Sequence, residues 1–231
     1  MSDVQTPPAQ RLRLTYRHGP ELRYISNLDL IRLFERALRR AELPIAYSQG
    51  FNAHPQLKVA APLPVGFTGD EEMVDFTLKE SLEPADFNTR LREHLPAGIT
   101  PISIDEIPLR SRSMASLLRA AQYRVEFEPA PDPAKLQAAV DTLLAQEQIV
   151  RARMGKGRRM RQYDLRPLID QLRVESAPAT PHLEMTLAAR DGSHGRPEEV
   201  LAALGYEGRH VRIARTCMVF EKAQPHEETC R

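Results

Sequence analysis

Two groups of polar side chains in this sequence have the types and placement that binding or catalysis needs. The first is Ser26, Asn27, Asp29, Tyr47, Ser48, Gln49, Asn52 and His54, all at the ends of expected elements. If its two halves meet, the free backbone N–H groups at a helix start suit a phosphate or similar anion. The His54 imidazole can donate or accept a proton beside it, which makes it the one candidate general acid or base. The plainer alternative is that Ser26 or Asn27 caps a helix while Asn52, His54 and Pro55 build a turn. Spacing leaves both open, because a helix start and the loop after the next strand lie at opposite or adjoining ends of a βαβ unit.

The second group is basic. Arg151, Arg153, Lys156, Arg158, Arg159, Arg161 and Arg166 face a single acid, Asp164, within residues 151–166. Gly155 and Gly157 suggest a hairpin tip, on which such cations suit phosphate contact, with Tyr163 as a stacking surface for a base. The alternative is a solvated hairpin whose charges keep its edges from pairing. Arg32, Arg36, Arg39, Arg40, Arg209, Arg212 and Arg215 add cations in other elements. Backbone contact with RNA is the expectation; base-specific readout is not.

Several chemistries lack their residues. There is no Gly-rich phosphate loop ending in Lys-Ser/Thr and no GxGxxG between a strand and a helix. A Gly-x-Ser-x-Gly elbow, a His-Glu-x-x-His pair and a Cys-x-x-Cys pair are also missing. The seven histidines are scattered, and Cys217 and Cys230 are too few for a disulfide framework. No metal and no cofactor are therefore expected. A net charge of +1 imposes no global field, so a polyanion must be recognised locally. No apolar run approaches the roughly 18 residues that span a bilayer. With no apolar signal core near Met1, a cytoplasmic protein without membrane contact is expected.

The elements that position these residues follow from periodicity. Leu12, Leu14 and Tyr16 alternate with Arg11, Arg13 and Arg17 as a half-buried strand. Ser26 or Asn27 then caps a helix, with Asp29 in its first turn and Leu30, Ile31, Phe34, Ala37, Leu38 and Ala41 on its apolar face. Strands are expected at 45–47 and 57–65, the latter disturbed by Pro62 and Pro64. A turn at 69–72, a strand at 73–78, a helix at 84–95 and a strand at 99–107 complete the first half. The second half repeats that order: strand 123–127, helix from Pro133, hairpin around Gly155, strands 173–176 and 182–188, helix 197–204 and strand 211–220.

At 231 residues, with 42% hydrophobic and 27% charged residues, the chain suits two globular domains. The expected fold class is α+β, as two tandem ferredoxin-like (βαββαβ) units with antiparallel sheets. The expected boundaries are a disordered lead over 1–10, domains at 11–107 and 123–220, a linker at 108–122 and a tail at 221–231.

The run RYISNLDLIRLFERALRRAELPIAYSQGFNAHPQLKVAAPLPVG, with RMRQYDLRPLI and RPEEVLAALG further on, resembles the radical-SAM-linked family of uncharacterised bacterial proteins. Members occur alone or as the C-terminal part of cobalamin-binding-type radical SAM proteins. Ala53 stands where that family usually has proline. The resemblance implies a separately encoded radical SAM enzyme as partner. This chain lacks the three-cysteine motif that would hold such an enzyme's iron–sulfur cluster. The leading expectation is a non-catalytic RNA-binding or substrate-presenting module for that enzyme, in tRNA or rRNA modification or processing. An RNA-processing nuclease using His54, and a protein–protein scaffold with a basic docking hairpin, are the alternatives.

Overall fold

In the computed structural model, residues 7–49, 53–154, 160–175, 181–190 and 193–221 are described. The protein is mixed α+β with mostly antiparallel strands and divides into two compact units, Met1–Ala115 and Ser116–Arg231.

The first unit contains β1 (Gln10–His18), α1 (Asn27–Arg40), β2 (Leu57–Val59), β3 (Thr68–Leu78), α2 (Pro84–Arg92) and β4 (Ile99–Ile107). Its strands lie in the order β4-β1-β3-β2, every neighbouring pair antiparallel. Strand period explains the two faces of this sheet. Leu12, Leu14 and Tyr16 of β1 and Val74, Phe76 and Leu78 of β3 are buried in one core with Phe34 and Leu38 of α1 and Phe87 and Leu91 of α2. Arg11, Arg13 and Asp75 have the opposite parity, and the cross-strand partners Arg13 and Asp75 meet there in a salt bridge of 2.8 Å.

Helix α1 forms where the sequence places it. The Ser26 hydroxyl accepts from the Asp29 backbone N–H at 3.1 Å, satisfying one of the donors a helix start leaves free. Ile31 is only half-buried, at the margin of the apolar face.

The second unit contains β5 (Leu118–Phe127), α4 (Pro133–Leu144), β6 (Val150–Met154), β7 (Met160–Asp164), β8 (Ile169–Glu175), β9 (His182–Arg190), β10 (Ser193–His194), α5 (Pro197–Ala203) and β11 (Val211–Phe220). Its main strands run β11-β5-β9-β8, again antiparallel, and β10 pairs with the end of β9. By role this is the same order as in the first unit. The β6–β7 hairpin is a two-stranded sheet of its own, inserted between α4 and β8.

Several expected elements differ. Residues 45–47 make two isolated bridges, Ile45 with Leu78 and Tyr47 with Pro55, and no strand. The strand expected at 57–65 stops at Val59, and Pro62 and Pro64 offer no N–H to continue it. The turn expected at 69–72 lies inside β3, where Gly69 pairs with His18 beyond a register shift that leaves one extra residue in β3. Helix α2 ends at Arg92, short of Leu95. The linker expected over 108–122 is partly structured: a single turn, α3 (Met114–Leu117), leads into β5, whose Leu118, Ala120 and Ala121 are buried between β9 and β11. Among the described residues, no helix is long and apolar enough to cross a membrane.

Candidate functional site

Helix α1 divides the first group of polar residues into two. Its 14 residues span about 20 Å at 1.5 Å per residue. Ser26, Asn27 and Asp29 sit at its start, beside the Thr68 end of β3, where the Gly66 N–H donates to the Arg23 carbonyl. Tyr47, Ser48, Gln49 and His54 follow its far end, next to Leu78, the other terminus of β3. Asn52 lies outside the described residues. The seven described residues therefore do not form one constellation, because the helix that connects them also separates them.

At the α1 start, polar groups are used locally. The Ser26 hydroxyl donates to the Asp29 carboxylate at 2.7 Å while accepting from the Asp29 N–H. The Ser26 hydroxyl, aided by Arg32, holds the Asp29 carboxyl below its ordinary pKa. The Asn27 Oδ1 is buried and has no hydrogen-bond partner among the described residues.

The other half borders a cleft of about 700 Å³ in the first unit. Ser48 closes the loop that carries His54: its N–H donates to the His54 carbonyl at 2.8 Å, and its hydroxyl accepts from the His54 N–H at 3.0 Å. Gln56 ties the same loop down by donating to the Tyr47 carbonyl. Across the cleft lie Arg11, Lys58, Asp75 and Thr77. Asp75 accepts from Arg11 at 2.6 Å and from Arg13 at 2.8 and 3.1 Å, so the cleft's carboxylate is already engaged by two guanidinium groups. Among the described residues that line it, no free carboxylate stands ready to work with His54 as an acid–base pair.

The basic group lies on the β6–β7 hairpin. The register pairs Arg151 with Tyr163 and Arg153 with Arg161, which puts all four on one face. Arg151 is bound to Glu199 of α5 at 3.3 Å, which anchors the hairpin root. The Arg153 guanidinium sits 5.0 Å from the Tyr163 ring centre, covering the surface expected to stack on a base. Arg161 is exposed and Arg166 donates to the Ile169 carbonyl. Lys156, Arg158 and Arg159 lie outside the described residues. On the opposite face Val150, Met154 and Met160 are 55%, 62% and 62% exposed. Among the described residues, no group of His, Cys, Asp and Glu side chains is arranged to hold a metal ion.

A family model described as "Uncharacterized protein conserved in bacteria (DUF2344)" matches residues 11–197. The chain belongs to this family. No curated protein matches it. Among solved structures it is similar to a chain of "Crystal Structure of a Cbf5-Nop10-Gar1 Complex", at 12% identity and a TM-score of 0.46. That match covers 93% of this chain and 50% of the other, so the chain spans half the length of the one it matches.

The DUF2344 match takes in both the cleft and the hairpin. The cleft residues Arg11, Lys58, Asp75 and Thr77 of this DUF2344 chain were not among the residues singled out from sequence. The polar parity of β1 was a signal for Arg11 alone, whereas Lys58 and Asp75 become opposite partners only through strand register.

At the hairpin root, burial pushes the Tyr163 phenol above its ordinary pKa, and the neighbouring Glu199 carboxylate adds to the rise. Stability from this group is therefore complete below the ordinary phenol pKa and is lost as pH rises through the raised value. Ultraviolet-monitored titration should show Tyr163 ionising later than an exposed tyrosine, and Glu199→Gln should bring it part of the way back. No change on Glu199→Gln would remove Glu199 as a cause.

Proposed function

We propose that this DUF2344 protein is a non-catalytic module that binds RNA through its basic hairpin and presents it to a radical SAM enzyme in the cytoplasm. The observation that carries this reading is the hairpin register, which aligns Arg151, Arg153, Arg161 and Tyr163 on one face. A two-stranded ribbon with such a face tracks phosphates without reading bases. By sequence, the residues between its strands add Lys156, Arg158 and Arg159. The radical SAM partner rests on the resemblance of the run from Arg23 to Gly66. Both units are read as ferredoxin-like, an interpretation supported by the β4-β1-β3-β2 and β11-β5-β9-β8 orders with helical crossovers.

The test is RNA binding by the purified protein at several salt concentrations, beside Arg153→Glu/Arg161→Glu. The wild type should bind with a steep salt dependence. The variant should bind more weakly, its log–log slope reduced by about 1 for each phosphate-contacting cation removed. Absence of RNA binding at low salt, or an unchanged slope in the variant, would sink the RNA reading.

A protein-docking scaffold is the second reading, favoured by the exposed Val150, Met154 and Met160 on the reverse of the hairpin. It would show salt-sensitive partner binding with no preference for RNA over heparin.

A further inference from the structure

We propose that the cleft between Ser48 and His54 on one side and the polar face of β1–β3 on the other is a binding site for a phosphate ester. The inference stands apart from the hairpin reading, since every residue it uses belongs to the first unit.

Charge is the first argument. Register sets Lys58 of β2 opposite Asp75 of β3, and Asp75 opposite Arg13 of β1. Asp75 is 3% exposed and is satisfied by Arg11 and Arg13. Lys58, which is exposed, has no ion-pair partner among the described residues. In the cleft lining, Arg11 and Lys58 face the single carboxylate of Asp75, which leaves a formal excess of one positive charge there. A phosphate ester offers several strong acceptors to such a cluster.

Donor geometry is the second. Ser48 uses its hydroxyl oxygen to accept from the His54 N–H, which leaves its own O–H free to donate. The His54 backbone is held at both N–H and carbonyl by Ser48, so the loop delivers the imidazole to the cleft rim at a fixed place. The His54 ring has no partner among the described residues. Thr77 supplies a further hydroxyl on the cleft wall. Size is the third argument, because about 700 Å³ falls within the range of pockets that hold nucleotide-sized molecules.

The same chemistry reaches the cleft from a free nucleotide or from the phosphodiester of an RNA strand, and the experiment separates them. The full chain is titrated calorimetrically with inorganic phosphate and AMP, and with a single-stranded oligoadenylate in the Arg153→Glu/Arg161→Glu background, so that strand binding by the hairpin does not enter the reading. Lys58→Glu is the test variant and Lys135→Glu, on the exposed side of α4, the control; circular dichroism checks that both fold. AMP should bind the wild type and Lys135→Glu alike, and Lys58→Glu about tenfold more weakly. A parallel loss of oligoadenylate binding in Lys58→Glu assigns the phosphate to a strand. An unchanged oligoadenylate affinity assigns it to a free nucleotide. Absence of phosphate and AMP binding, or equal AMP affinity in Lys58→Glu, overturns the proposal. The salt-dependent RNA binding of the hairpin is measured independently, so neither failure implies the other.

Discussion

Asp75→Ala is expected to destabilise the protein by about 3–5 kcal/mol, the usual result of removing one partner from a buried ion pair. Asp75 is 3% exposed and accepts hydrogen bonds from Arg11 Nη2 at 2.6 Å and from Arg13 Nε and Nη2 at 2.8 and 3.1 Å. The Arg11 and Arg13 side chains are themselves largely covered, so the alanine variant leaves two guanidinium groups uncompensated. Urea unfolding monitored by circular dichroism measures the loss. The triple variant Arg11→Leu/Arg13→Leu/Asp75→Leu should recover most of it, because the desolvation cost of the ions disappears with their attraction. A loss below about 1 kcal/mol in Asp75→Ala would place the cluster with solvated surface pairs. The polar face of the first sheet would then owe its order to something else.

The second large effect lies across the same sheet. Phe34→Ala should cost about 3–5 kcal/mol, from lost burial and the cavity left behind. Phe34 is fully buried at the centre of an aromatic row. Its ring stands edge-on to Tyr16 at 5.3 Å and to Phe76 at 5.7 Å, and Phe76 continues to Phe87 at 5.5 Å. The row binds α1 and α2 to β1 and β3, so the loss should appear as a lower urea midpoint with little change in m. A cycle with Tyr16→Leu should give a coupling of about 0.5–1.5 kcal/mol if the edge-on contact matters beyond area. If Phe34→Ala were no worse than truncating the exposed Leu28, α1 would not be seated on this core.

The legibility of the fold varied with how local each signal was. Helix α1 was readable because its cap, its acidic first turn and its apolar stripe lie within one short stretch. Strand β11 has the limits expected of it, with Ile213 and Arg215 buried and the alternation passing to Met218 after a register shift. The hairpin was readable from its glycine-containing turn. Residues 45–47 misled because Ile45, Ala46 and Tyr47 have the types of a strand, yet they make only the isolated bridges Ile45–Leu78 and Tyr47–Pro55. Gly69 misled in the other direction: turn-like by composition, it pairs with His18 inside β3.

Periodicity and caps are properties of a few adjacent residues, so the sequence alone established which side of each element is apolar, where α1 begins and where cations concentrate. It also established the α+β character of the chain. Which polar residues come together depends on strand register and on the path of the chain between distant elements, which no local pattern encodes. Folding set Ser26 and His54 at opposite ends of α1 and brought Lys58, Asp75 and Arg13 into one row across three strands. It also laid Arg153 over Tyr163, turning two residues that looked independently available into a contact pair. Those are consequences of long-range pairing, whose free energy depends on burying the whole sheet at once.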